Sequence, residues 1–257
     1  MTQSIGQVKA DSVLSIDASN IPYRDLNTRL RNAVINGVQR IELHNICGQR
    51  YIGTNLRKTV EVEIFGTPGN DLGAFMNGPR IIVHGNAQDG CGNTMNNGEI
   101  IVHGHAGDIV GLSARGGKIF VREDVGYRAG IHMKEYKEKK PVLVIGGTAQ
   151  DFLGEYMAGG ILILLGLGLK NDEPHRANFI GTGMHGGVIY LRGTVKDHQL
   201  GKEMGTAELE EKDLQILRAF VTDFAAYFSC DAEEILRHKF IKLFPLYLRP
   251  YGRLHTY

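Results

Sequence analysis

Cysteine, net charge and long apolar runs are all scarce in this chain of 257 residues, and each shortage excludes a class of function. Cys47, Cys91 and Cys230 form an odd trio with no Cys-x-x-Cys pair. That pattern fits a reducing compartment and argues against an iron–sulfur cluster held by this chain alone. The 29 Lys+Arg against 28 Asp+Glu leave a formal charge of +1, so no global field draws nucleic acid or an anionic membrane. The most apolar run, Gly159 to Leu169, is too short to span a bilayer, and Met1 to Ser12 is polar where a signal peptide needs an apolar core. These absences predict a folded cytoplasmic protein without nucleic-acid or membrane partners; its 42% hydrophobic content is enough to bury a core.

Glycine is what the chain has in quantity, and it is periodic. Gly73, Gly92, Gly111 and Gly130 follow at a fixed step of nineteen residues, and the series continues with insertions to Gly154 and Gly181. Met76, Met95, Met133, Met157 and Met184 each follow one of these glycines by three positions. Self-similarity at such a period marks a stacked architecture.

Each repeat carries a four-residue run: Val62–Phe65, Ile81–His84, Ile100–His103, Ile119–Arg122, Leu143–Gly146, Leu162–Leu165 and Ile189–Arg192. All but one, which is followed by Glu123, close on a glycine. The first and third members are aliphatic throughout, so in a strand they face a core while the second and fourth face outward. A leucine-rich repeat would need leucines at fixed offsets and a helical back, and neither is present. The prediction is a mainly β chain, a single-stranded parallel β-helix of about seven coils with flanking helices, forming a rod about 30 Å long at ~4.8 Å per layer.

Three segments follow from composition. Residues 1–46 form a lead-in with one amphipathic helix on Tyr23, Leu26, Leu30, Ala33 and Val34, between Pro22 and Asn36-Gly37. Residues 47–193 are the glycine-repeat domain, with charged loops thrown out at Lys134–Pro141 and Gly168–Asn178. In residues 194–257, Leu214, Leu217, Val221, Phe224 and Phe228 follow a three-four spacing, Asp231 with Glu234 suggests the cap of a second helix, and Phe244 to Tyr257 reads as an extended tail. The helical segments at either end are natural covers for a rod whose exposed edges would otherwise pair with another chain.

Several columns suggest chemistry, and each also has a structural reading. Gly181-Thr-Gly183-Met-His-Gly186 matches a dinucleotide fingerprint, but Val188 to Leu191 is another strand where that fingerprint needs a helix, which favours a corner. His84 and His103 stack one period apart, yet Arg122 and Arg192 share their column and oppose a metal. Asn70, Asp89, Asp108, Tyr127, Asp151 and Asn178 form a further column. Its carboxylates could serve a carbohydrate-cleaving enzyme, although Asx residues at corners more often bond turn backbone. The methionines are core filler. The outward second column, Ile82, Ile101, Phe120, Val144, Ile163 and Tyr190, is apolar and calls for a cover, which is either the C-terminal helix or another subunit.

The strings Cys47-Gly48-Gln49-Arg50-Tyr51-Ile52-Gly53, Pro68-Gly69-Asn70-Asp71-Leu72, Asn86-Ala87-Gln88-Asp89-Gly90, Gly130-Ile131-His132-Met133-Lys134-Glu135-Tyr136 and Gly181-Thr182-Gly183-Met184-His185-Gly186-Gly187 resemble the GXGXG domain at the C-terminal end of the glutamate synthase large subunit. The stand-alone form of that domain is more similar still. The glycine spacing alone is shared with one of the chains of formylmethanofuran dehydrogenase, which looks like a relative. The resemblance implies a right-handed β-helix with a structural role in an enzyme that makes glutamate from glutamine and 2-oxoglutarate. The partner chains would then supply the glutaminase, with its N-terminal cysteine nucleophile, and the synthase barrel with FMN and an iron–sulfur cluster. This chain begins Met1-Thr2-Gln3, lacks a clustered cysteine set and shows no barrel pattern. The expectation is therefore no catalytic, cofactor-binding or metal-ligating residue here, and a scaffold role between glutaminase and synthase chains, with self-association left open. The competing readings are a scaffold of a formylmethanofuran-dehydrogenase-like complex and a carbohydrate-active enzyme using Asp89, Asp108 or Asp151.

Overall fold

The computed structural model describes residues 13–170 and 173–247, so the part of the C-terminal tail from 248 onward lies outside the described residues. A strand, β1 (Val13–Asp17), leads into a helix, α1 (Tyr23–Ile35), and a second strand, β2 (Arg40–Cys47). Seven further strands coincide with the seven aliphatic runs: β3 (Glu61–Thr67), β4 (Asn77–His84), β5 (Asn97–Val102), β6 (Lys118–Val121), β7 (Val142–Ile145), β8 (Ala158–Leu164) and β9 (Gly186–Arg192). The chain then adds β10 (Met204–Ala207), α2 (Glu211–Phe228), α3 (Ala232–Leu236) and β11 (Phe240–Pro245).

Strands β1 to β9 pair in parallel in sequence order, which makes the chain a β-solenoid. The register carries the column Val62, Ile81, Ile100, Ile119, Leu143, Leu162, Ile189 through seven consecutive layers without a slip. This column and the one beginning at Ile64 are buried, as their period-two spacing requires. A second wall of the coil appears as isolated parallel bridges linking Ala87, Ala106, Val125 and Ala149, all buried. The methionine column fills the same interior; where Met is missing, Leu56 and Ala114 stand in its place.

The corners explain the nineteen-residue step. Each places three alternating residues in the left-handed region, such as Asp71, Gly73 and Phe75, then Gly90, Gly92 and Thr94, then Ile109, Gly111 and Ser113. This alternation turns successive N–H groups in opposite directions along the rod. Gly92 N donates to Leu72 O of the preceding coil at 2.8 Å, whereas Gly90 N and Thr94 N donate to Asp108 O and Leu112 O of the following one at 2.9 and 2.7 Å. The corner is thus hydrogen-bonded both up and down the stack, satisfying backbone groups that an ordinary bend would leave bare.

The central residue points into the core, where the room for a side chain differs from coil to coil. A Cβ on Gly92 would overlap Ile119 Cδ1, while one on Gly111 would meet nothing closer than 3.6 Å. Gly111→Ala is therefore expected to cost about 1–2 kcal/mol from its left-handed backbone alone. Gly92→Ala adds overpacking of about 1–3 kcal/mol. Urea denaturation of the two variants measures the difference, and equal losses would contradict this account.

The two ends of the rod are closed differently. At the first, α1 crosses from β1 to β2 and sends Leu26, Leu30, Ala33 and Val34 into the interior core; Asn27 Nδ2, buried beside them, donates to Tyr23 O at 2.7 Å and Arg50 O at 2.9 Å. At the other, β11 pairs antiparallel with β9, and β10 pairs antiparallel with β11. Reversing strand direction ends the parallel stack, so the open β9 edge is taken by strands rather than by a helix.

Candidate functional site

The outward apolar column is covered by the chain's own helix. Ile101, Phe120, Val144, Ile163 and Tyr190 form a second core with Leu217, Val221, Phe224 and Phe228 of α2, and Phe120 and Phe224 are fully buried. Polar contacts fix the alignment of the helix. Asp213 accepts from Tyr190 Oη of β9 at 2.7 Å, Lys118 of β6 pairs with Asp223 at 2.8 Å, and Tyr227 Oη donates to Glu99 of β5 at 2.9 Å. From Asp213 to Tyr227 the helix rises about 21 Å, and β9 to β5 spans four layers or about 19 Å, so α2 runs back along the rod nearly parallel to its axis.

Leu214, expected at the head of the apolar stripe, is exposed, and its neighbour Asp213 is buried instead. Asp213 Oδ2 accepts from Lys242 Nζ at 2.9 Å and from Glu210 N at 2.9 Å, closing the N-terminus of α2. Burial opposes its charge, but the Lys242 and Tyr190 hydrogen bonds outweigh that and hold the carboxyl below its usual range. Tyr190 moves the other way: burial first, then Asp213, pushes its hydroxyl well above the ordinary phenol range. Tyr190 and Asp213 are thus buried with Lys242 at their edge, whereas in the sequence Asp213 carries only the signal of a helix start.

The columns singled out for chemistry resolve into structure. His44, Phe65, His84 and His103 stack face to face at 4.7, 4.6 and 5.4 Å between ring centroids, and Phe228 meets the last ring edge-on at 5.1 Å. Stacked imidazoles do not converge their nitrogens on one point, and among the described residues no group of three His, Cys, Asp or Glu side chains could hold a metal. Burial first, then His84 and Arg122, pushes His103 below the usual imidazole range. Asp89 Oδ1 accepts Asp108 N at 2.9 Å, Asp108 Oδ1 accepts Tyr127 N at 2.8 Å, and Asp151 Oδ1 accepts Asn178 N at 2.8 Å. These carboxylates bond the backbone of the next coil rather than their own turn, so each one staples adjacent layers. Gly181 and Gly183 are left-handed corner residues leading into β9, and no helix follows them.

Cys91 lies in the interior core, where burial pushes its thiol up to about 12, while Cys47 and Cys230 are exposed. These three positions do not form the ligand set of an iron–sulfur cluster.

The corner face is open to solvent. The flanking left-handed residues project outward in two columns that become aromatic toward the second end of the rod. Arg128 lies 4.9 Å over Phe152, which stacks on Phe179 at 4.9 Å, and beside them His132 stacks on Tyr156 at 5.4 Å. Phe75, Tyr156 and Phe179 are about half exposed. The sequence conceals this face, because only the central residue of each corner must be glycine and the flanking ones carry no marker. Among the described residues, no helix is long and apolar enough to cross a membrane.

Comparison with known proteins agrees with this geometry. The family model described as the GXGXG motif matches residues 24–247. An uncharacterized protein of Methanocaldococcus jannaschii is 50% identical over 249 residues, covering 94% of this chain and 95% of that one. The match spans both the glycine corners and the α2 cover, so the chain belongs to the GXGXG family, whose domain type is that of glutamate synthase.

Proposed function

We propose that this chain is a noncatalytic structural subunit of a split glutamate synthase, holding the glutaminase chain and the FMN- and iron–sulfur-bearing synthase chain in register. The observation that carries this reading is the family match over residues 24–247, joined to a fold whose polar columns serve as staples between coils. The cofactors would reside on the partner chains. The apolar stripe is occupied by α2, so the partners meet this chain on the exposed corner face around Phe75, Tyr156 and Phe179. Exposed aromatic side chains in a rigid setting suit such contacts, since they give large contact area for little lost freedom.

Gentle purification of the tagged chain from its native cell tests the assignment. A flavin-bearing partner and glutamine-dependent amination of 2-oxoglutarate are expected, and copurification of a molybdenum- or tungsten-containing dehydrogenase would overturn it. On the same preparation, Tyr156→Glu with Phe179→Glu should lower partner recovery at least tenfold while leaving the melting temperature of the isolated chain within a few degrees.

A further inference from the structure

Among the described residues four lysine or arginine residues are not exposed, Arg80, Lys118, Lys242 and Arg192, and the first three have a carboxylate within reach. Arg80 has Glu61 and Glu99, both at 3.0 Å, Lys118 has Asp223 at 2.8 Å, and Lys242 has Asp213 at 2.9 Å. Arg192, at the end of β9, departs from this pattern. Its side chain is half-buried, yet among the described residues no carboxylate oxygen lies within 4.0 Å of it. Nη1 donates to Leu165 O at 3.1 Å, and Nε is buried with no acceptor among the described residues. Burial pushes the Arg192 guanidinium down from its ordinary value, and Glu234, beyond ion-pair distance, only partly offsets this. A desolvated charge without a counter-ion is costly, and among the described residues Arg192 is the one unexposed cation that lacks one.

Arg192 borders a cavity of about 380 Å³ between the end of β9, the Gly166–Lys170 turn and the connection from α3 to β11. Lys170, His238 and Lys239 line it with Thr194. Among the described residues the one carboxylate in the lining, Glu173, accepts Lys170 N at 3.1 Å and so is engaged in shaping its own loop. The backbone beneath is held in place, because His175 Nε2 donates to Arg192 O at 2.8 Å; that imidazole is kept neutral by burial and adds no charge of its own.

We propose that this cavity binds a small organic anion whose doubly charged oxyanion group, a phosphate or a pair of carboxylates, is received by Arg192 with Lys239 and Lys170. The guanidinium supplies a planar pair of donors and the lysines supply compact charge. A volume near 380 Å³ is at the small end of metabolite pockets and exceeds what a bare inorganic ion fills, while Leu169 and the glycine backbone give an apolar wall for a short carbon skeleton. The proposal is independent of the glutamate synthase assignment, since it rests on the charge and shape of this cavity alone.

Calorimetric titration of the full chain with succinate and with glycerol phosphate, at constant ionic strength set by sodium chloride, tests the site. Saturable binding of at least one is expected. Succinate alone assigns a dicarboxylate, glycerol phosphate alone assigns a phosphate, and either supports the site. Arg192→Gln should weaken binding more than tenfold. Should that variant fail to fold, Lys239→Gln and Lys170→Gln, both at exposed positions, should each weaken binding at least threefold, with Lys212→Gln on the outside of α2 as an unchanged control. No saturable binding of either anion, or equal weakening by Lys212→Gln, would overturn the proposal.

Discussion

Phe120→Asp is expected to unfold the isolated chain at room temperature. Phe120 is fully buried between the coil strands and α2, with Tyr227 edge-on at 5.1 Å. Removing the ring alone forfeits about 3–5 kcal/mol. Placing a carboxylate in the apolar space adds the cost of an unpaired buried charge, several kcal/mol more. A domain with a net stability of about 5–15 kcal/mol has little left after that loss. Phe120→Leu, which keeps most of the apolar volume, should cost a fraction as much. Circular dichroism and urea titration of the purified variants measure both. A folded, soluble Phe120→Asp chain that merely lost a partner would mean that α2 does not cover this stripe in solution.

The second large effect is expected at Asp213. Asp213→Ala removes the acceptor for Lys242 Nζ, Tyr190 Oη and Glu210 N together, leaving the Lys242 side chain, only 16% exposed, without its counter-ion. Breaking a buried pair on one side costs about 3–5 kcal/mol. The double variant Asp213→Ala with Lys242→Met should recover a good part of that loss, because no uncompensated charge remains. A double-mutant cycle by urea denaturation settles it, and additive losses would contradict a coupled pair. Both effects act at the same junction, where α2 starts its run along the rod from β9, so each should also lower protection of the α2 amides from hydrogen exchange.

How far the sequence discloses this molecule depends on which side of each coil a residue faces. The inward aliphatic columns and the glycine step are legible because stacking forces every layer to repeat the same volume at the same place, and the seven strands fall on the seven runs. Beyond the interior the repeat constrains less. The apolar second column shows that something covers Ile101 and Phe120 but not what, since a helix and a foreign subunit impose the same composition. Ile109, Phe152 and Phe179 adopt left-handed backbone without being glycine, so the corner face leaves no periodic trace. β10 and β11 are short strands outside the repeat, whose pairing depends on the β9 edge that they close. Arg192 lies in a column with His84, His103 and Arg122, and only the folded chain separates it from them by burying its Nε without an acceptor among the described residues.

The central claim is that this rod couples two active chains without performing chemistry itself. The most direct measurement is the ratio of glutamate formed to glutamine hydrolysed by the purified glutaminase and synthase partners, with this chain present and then removed. Tight coupling in its presence, and glutamine hydrolysis that runs on without matching amination of 2-oxoglutarate in its absence, is the predicted result. A ratio that stays the same when the chain is withheld would contradict the account.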